Sequence, residues 1–241
     1  MKLNRIKPNL LKHVLKIPTS TPSAAVQYEF GINDMVLDIL LEKVVLGVET
    51  LKLDENRISK QILTRMLQKK VPGFCTEFIE ACEILGVSVD ALLNVEDVRE
   101  VLKKKVVDIQ SSQLMTRMIA GSKMDKVIMG GYSYDGKMKR YLYKLDFYQA
   151  RAIFMARYRM WPSKDNFPGR WLGSSCNICG LKDTDEHILS CPGYSDLVMG
   201  RLSYDMLWDN LVLNDMEKMT EIGDICAAVV ERMEVIQNLD V

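Results

Sequence analysis

The sequence predicts a mainly α protein: a helical domain, a small Cys-Cys-His-Cys zinc-knuckle module, and closing C-terminal helices. Three observations carry that prediction. Apolar residues recur at helical spacing through residues 3–119. The gaps between these runs hold residues that stop helices, with Pro18 and Pro22 among hydroxyl side chains and Pro72-Gly73 as a pair. Finally, three of the six cysteines and one of the two histidines fall between positions 176 and 191.

The elements follow in order. Residues 3–16 form a basic amphipathic helix with Leu3, Ile6, Leu10, Leu11, Val14 and Leu15 near helical spacing and Pro8 close to its start. Residues 17–23 are a loop, and 24–30 a short helix. Residues 34–53 form a long buried helix through Met35, Val36, Ile39, Leu40, Val44, Val45 and Leu51. Residues 56–70 place Ile58, Ile62, Leu63, Met66 and Leu67 on one face. Helices over 74–85, 87–93 and 96–119 complete the first half, the last with Arg99, Lys103, Lys104 and Lys105 on a solvated face. Residues 121–136 change character: Gly130-Gly131 and Asp135-Gly136 flank Tyr132 and Tyr134, the signal of a hairpin or loop. Helix resumes over 144–159, residues 160–175 are irregular, and two helices over 194–213 and 215–239 close the chain. The expected division is a helical domain over 1–130, a basic segment with its knuckle over 135–195, and acidic helices over 196–241.

A net charge of zero conceals a strong asymmetry. Residues 135–171 hold nine basic and three acidic side chains, whereas residues 181–241 hold four basic and thirteen acidic. Asymmetry of this kind speaks about partners where the average does not. Apolar residues make up 48% of the chain, enough for a core, yet no run approaches the roughly 18 apolar residues of a membrane span. The first eight residues lack the apolar run and cleavage site of a secretory signal, so an intracellular setting, nuclear or cytoplasmic, is expected.

The densest chemistry is Cys176, Cys179, His187 and Cys191, spaced C-x2-C-x7-H-x3-C. Three thiolates and an imidazole make a closed tetrahedral zinc site, structural because no position is left for water. A tight turn ending at Gly180 can aim Cys176 and Cys179 inward. Asp183 and Glu186 have N-cap and N3 spacing, so a helix starting there would stack His187 and Cys191 one turn apart until Pro192-Gly193 ends it. The competing readings are buried free cysteines beside an unrelated histidine, or a disulfide from Cys176 to Cys179 or Cys191. A reducing compartment favours metal or free thiol over the disulfide.

Upstream lies the composition of a nucleic-acid surface. Lys144, Arg151 and Arg159 are spaced to share one side of a helix, and Arg157, Lys164 and Arg170 extend the basic stretch. Tyr158, Trp161, Phe167 and Trp171 can stack on unpaired bases, or pack around the zinc unit as a small core. Catalytic constellations are thin. His13 is the only histidine outside the cluster, no phosphate-binding glycine loop occurs, and no two aspartates are adjacent.

The block Leu142-Tyr-Lys-Leu-Asp-Phe-Tyr-Gln-Ala-Arg-Ala-Ile-Phe-Met-Ala-Arg-Tyr-Arg-Met-Trp161, followed by the Cys-Cys-His-Cys motif and Pro192, resembles the C-terminal part of non-LTR (LINE-type) retrotransposon reverse transcriptases. There a zinc knuckle lies downstream of the polymerase domain. Residues 11–22, with Tyr28-Glu-Phe-Gly31 after them, resemble the helical thumb and connector that follow the palm. The resemblance implies an RNA- or DNA-binding segment that recognises single-stranded or structured nucleic acid without strong sequence specificity, and that would serve a polymerase domain in a longer parent. The family's palm, with its paired catalytic aspartates, and its endonucleases find no counterpart here, so the expectation is binding without catalysis. Two alternatives remain open. One is a protein-interaction module, docking through the acidic C-terminal helices or the long helices of the first half, with an architectural zinc. The other is an enzyme of unrecognised type.

Overall fold

The structure, a computed structural model, describes residues 5–119, 134–167, 170 and 173–238. The mainly α class holds: these residues form fourteen α-helices and one 3-10 turn, with no strand among them. The hairpin signals at Gly130-Gly131 and Tyr132 lie outside the described residues.

The first half contains α1 (Ile6–Val14), α2 (Ser23–Phe30), α3 (Met35–Lys52), α4 (Ile58–Gln68), α5 (Phe74–Leu85), α6 (Val89–Leu93) and α7 (Val98–Ile119). Their ends obey local chemistry. The Asp34 carboxylate accepts from Val36 N at the start of α3, and Ser88 caps α6. Gly31 and Gly86 take φ of 60° and 63° to end α2 and α5, as left-handed C-caps do. At Gly47, a Cβ would sit 2.4 Å from the buried Phe78 ring, so the missing side chain lets α3 and α5 approach closely.

Two stretches of the second half depart from the expected helices. The helix expected over 144–159 starts later, as α9 (Phe147–Arg157), and Lys144 ends a separate short helix, α8 (Tyr141–Lys144). Asp146 opens α9 with a full capping box, accepting from Tyr148 N and Gln149 N while Gln149 returns a bond to its backbone. The stretch 194–213 becomes α11 (Ser195–Val198), α12 (Tyr204–Trp208) and α13 (Asn210–Asn214), because Gly200 turns at φ 70° and Ser203 and Asp209 cap new helices. Between these groups, α10 (Asp185–Ile188) carries part of the metal cluster, and α14 (Met216–Asn238) closes the chain.

The apolar packing does not follow the divisions expected at residues 130 and 195. One core joins α3, α5, α6 and the first part of α7 through Val44, Val48, Phe78, Leu85, Leu102 and Val106. A second gathers Tyr28 of α2 and Leu114 and Met118 of α7 with Phe154, Trp161, Ile188, Tyr194, Val229 and Met233. So α2 belongs with the C-terminal half, residues on either side of position 195 share one core, and α7 runs through both cores. The principal helix pairing of the second core is α9 along α14.

Candidate metal centre and its surroundings

Cys176, Cys179, His187 and Cys191 come together as the spacing predicted: their ligand atoms lie within 4.8 Å of one another. The first two come from a turn pinned by Cys176 N donating to Leu181 O (2.6 Å) and Gly180 N to Cys176 O (2.9 Å), with Gly180 at φ 76°. His187 sits in α10, with Nε2 at 3.1 Å from Cys179 Sγ. Cys191 Sγ lies 3.8 Å from Cys176 Sγ and 3.9 Å from Cys179 Sγ. All three cysteines are free, and these separations are far beyond the ~2.05 Å of a disulfide.

Two details differ from expectation. The cap of α10 is Thr184, whose hydroxyl accepts from His187 N, and the helix ends at Ile188. Cys191 follows in extended backbone (φ −71°, ψ 131°), so it reaches the cluster from a strand-like approach rather than from the next helical turn. Asp183, freed from capping, accepts from Lys164 N (2.8 Å) and Gln237 Nε2 (3.0 Å) and so ties the cluster to the last helix.

Two of the thiols are shifted in opposite directions. A hydrogen bond from the Leu181 backbone draws the Cys179 thiol below its ordinary value. Burial pushes the Cys191 thiol up to about 12 in the metal-free chain. An ion would stabilise all three thiolates, and four protein ligands around it leave no site for substrate or water. Such an arrangement can hold shape and has no open position for metal-centred catalysis.

The cluster is bolted to its neighbours. Asn177 Nδ2 donates to Ile236 O (3.3 Å), Arg232 Nη1 to Gly193 O (3.0 Å), and Tyr204 OH to Asp185 O (2.9 Å). Gly193 passes so close beneath Ile178 that a Cβ there would be 2.0 Å from the Ile178 side chain.

Four of the cations and rings that the sequence offered to nucleic acid are buried, namely Arg157, Tyr158, Trp161 and Lys164. Trp161 is fully buried and donates from Nε1 to Tyr204 OH. Tyr158 is buried, with its hydroxyl bonded to Glu29 Oε1 at 2.8 Å. Arg157 is buried against Glu29 Oε1 (2.9 Å) and lies 3.9 Å from the centre of the Trp208 ring. Lys164 is buried and bonds Asn177 Oδ1 at 2.6 Å. Arg159 lies beyond the end of α9 at φ 51°, paired with Glu186 at 2.7 Å. Arg151 remains in α9, 3.8 Å from Glu234 and donating to Lys16 O. The break at Asp146 therefore separates Lys144 from Arg151 and Arg159, and the three do not share one helix face. Lys144 and Arg170 are exposed, the latter 5.9 Å from the Phe167 ring centre, while Trp171 lies outside the described residues.

The residues that sequence reasoning missed lie just upstream. Tyr143, Phe147 and Tyr148, neighbours of Lys144 in sequence, are exposed, Tyr148 at 71%. Lys144 Nζ is 5.8 Å from the centre of the Tyr143 ring, and Phe147 and Tyr148 meet edge to face at 5.5 Å.

No protein-family model matches the chain, and no curated protein or solved structure matches it either. What fold and site define is a mainly α protein with a Cys3His group able to hold a metal ion. No helix among the described residues is long and apolar enough to cross a membrane.

Proposed function

We propose that this chain binds single-stranded or structured RNA or DNA, that its Cys3His group holds a structural zinc ion, and that it corresponds to the C-terminal part of a non-LTR-type reverse transcriptase without a polymerase centre of its own. The observation that carries the nucleic-acid reading is the exposure of Tyr143 (58%), Phe147 (38%) and Tyr148 (71%), all within four residues of Lys144 in the chain. A folded chain gains by burying rings, and rings left exposed near a cation offer faces on which unpaired bases stack. The resemblance of residues 142–161 and of the Cys-His motif to the reverse-transcriptase family supports the same partner. For the metal, soft thiolates with one imidazole favour zinc. Sulfur separations of 3.8 and 3.9 Å also suit a tetrahedron with ~2.3 Å Zn–S bonds, whose edges are about 3.8 Å.

The test is anisotropy of a labelled unstructured oligonucleotide, RNA and DNA in parallel, across a salt series. Binding should fall with rising salt, and Tyr143→Ala and Tyr148→Ala should each weaken it about tenfold, the scale of one lost stacked base. No binding even at low salt would sink the reading. An apolar groove between α1 and α3, lined by Met35, Ile39 and Leu46, favours the second reading, a protein-interaction module. In that case Leu46→Glu would abolish partner binding, with oligonucleotide affinity absent from the start.

A further inference from the structure

The sharpest unassigned surface is the outer face of α4. Residues 57–70 hold five basic side chains (Arg57, Lys60, Arg65, Lys69 and Lys70) and no acidic one. Leu63 is buried and anchors the helix. The opposite side presents Ile58 (73% exposed), Ile62 (52%), Arg65 and Lys69, spaced 4, 3 and 4 residues apart, which keeps them on one stripe. Among the described residues Lys60 pairs with Glu55, but Arg57, Arg65, Lys69 and Lys70 have no ion-pair partner.

A complementary ridge lies on α14. Glu217, Glu221, Asp224, Ala228, Glu231 and Val235 follow one another at spacings of 4, 3, 4, 3 and 4, a single face about 27 Å long. Its four carboxylates and Val235 are exposed. Arg201 reaches Glu221 (3.3 Å) and Gln149 reaches Asp224 (2.6 Å), while Glu217 and Glu231 have no ion-pair partner among the described residues. The two stripes match in character: cations with two isoleucines on one, carboxylates ending in a valine on the other.

We infer that α4 of one copy docks on the α14 ridge of a second copy of this chain. Three features favour a second copy over a polyphosphate. Half of the exposed α4 stripe is aliphatic, which a phosphate backbone cannot use. The α14 ridge offers both carboxylates and an exposed valine. The formal net charge is zero, so no overall repulsion opposes association of like chains. Charge complementarity across such a contact sets partner and register, and it weakens as salt shortens the range of the field.

Sedimentation of the full, zinc-supplemented chain at about 50 mM and about 500 mM salt reads this directly, since the Debye length shrinks roughly threefold between them. The mean mass should exceed that of the monomer at low salt, rise with concentration, and return to monomer at high salt. Arg65→Glu with Lys69→Glu, and separately Glu217→Lys with Glu231→Lys, should each weaken association by about tenfold or more. Mixing the two variants should restore it, because each then meets an opposite charge. Restoration also shows that both variants are folded. A monomer at low salt at every concentration tested, or association that neither charge reversal weakens, overturns the inference. So does failure of the mixture to reassociate. Oligonucleotide binding at Tyr143 and Tyr148 should survive the α4 reversal. If that reversal abolishes oligonucleotide binding while leaving the mass distribution unchanged, α4 serves phosphate instead of a second copy.

Discussion

The Arg157–Glu29 pair is nearly sealed from water on both sides, at 2% and 0% side-chain exposure. Burial alone would work against the guanidinium charge, but Glu29 and the surrounding phenols outweigh it and hold the charged form. Such a pair contributes less than its Coulomb attraction implies, because both ions lost their hydration. Breaking one side is a different matter. Arg157→Met should cost about 3–5 kcal/mol in urea unfolding, since Glu29 is left charged in an apolar core. Adding Glu29→Leu should recover most of that loss. A single variant as stable as the parent would show that the buried pair contributes little to folding. The same pair explains why part of the site could not be read. The metal ligands lie within sixteen residues, so their chemistry is written locally. The fate of Arg157 depends on a carboxylate 128 positions away, and no local pattern separates a cation destined for a buried pair from one destined for phosphate. Trp161 is similar, since its indole N–H is satisfied by Tyr204, 43 positions on.

Helix ends in the first half were legible to within about three residues, because proline, glycine and capping side chains act over one turn. Helix breaks in the second half were not. The run 194–213 keeps a helical apolar pattern, yet Gly200, Ser203 and Asp209 supply a turn and two caps that win over its continuity. Packing between elements is likewise invisible to periodicity, and Gly47 shows how far it can reverse a propensity argument. In an open helix, Gly→Ala stabilises by about 0.5–1 kcal/mol. Here the new methyl meets the fully buried Phe78 ring at 2.4 Å, so the ring or a helix must shift. Gly47→Ala should therefore destabilise by about 1–3 kcal/mol, the usual cost of overpacking. Phe78→Leu in the same chain should relieve part of the penalty, so the pair of changes would be less than additive in thermal or urea unfolding. Strict additivity would mean that α3 and α5 shift apart freely.

At the scale of the whole molecule, the two cores assign different consequences to metal loss. The cluster belongs to the core that contains α9, α14 and α2, and its hydrogen bonds run to Ile236, Gln237 and Arg232 on α14. The core of α3, α5 and α6 contains none of its ligands. On the proposed zinc reading, part of the binding free energy is folding free energy of the second core alone. Chelation should then raise amide exchange across residues 173–198 and the last turns of α14, while α3 and α5 keep their protection. Simultaneous loss of protection in α3 would instead mean that α7, which runs through both cores, couples them into one cooperative unit. The pH dependence has a definite sign. In the metal-free chain burial holds Cys191 protonated at neutral pH, with its thiol at about 12, so zinc must displace that proton on binding. Affinity should fall as pH falls, and zinc added to apo protein in weakly buffered neutral solution should release at least one proton per ion in total, one of them from Cys191. Cys191→Ser removes that thiol, so its proton release should drop by about one per ion and its affinity by at least about tenfold. Undiminished release in the variant would place the displaced proton on another ligand.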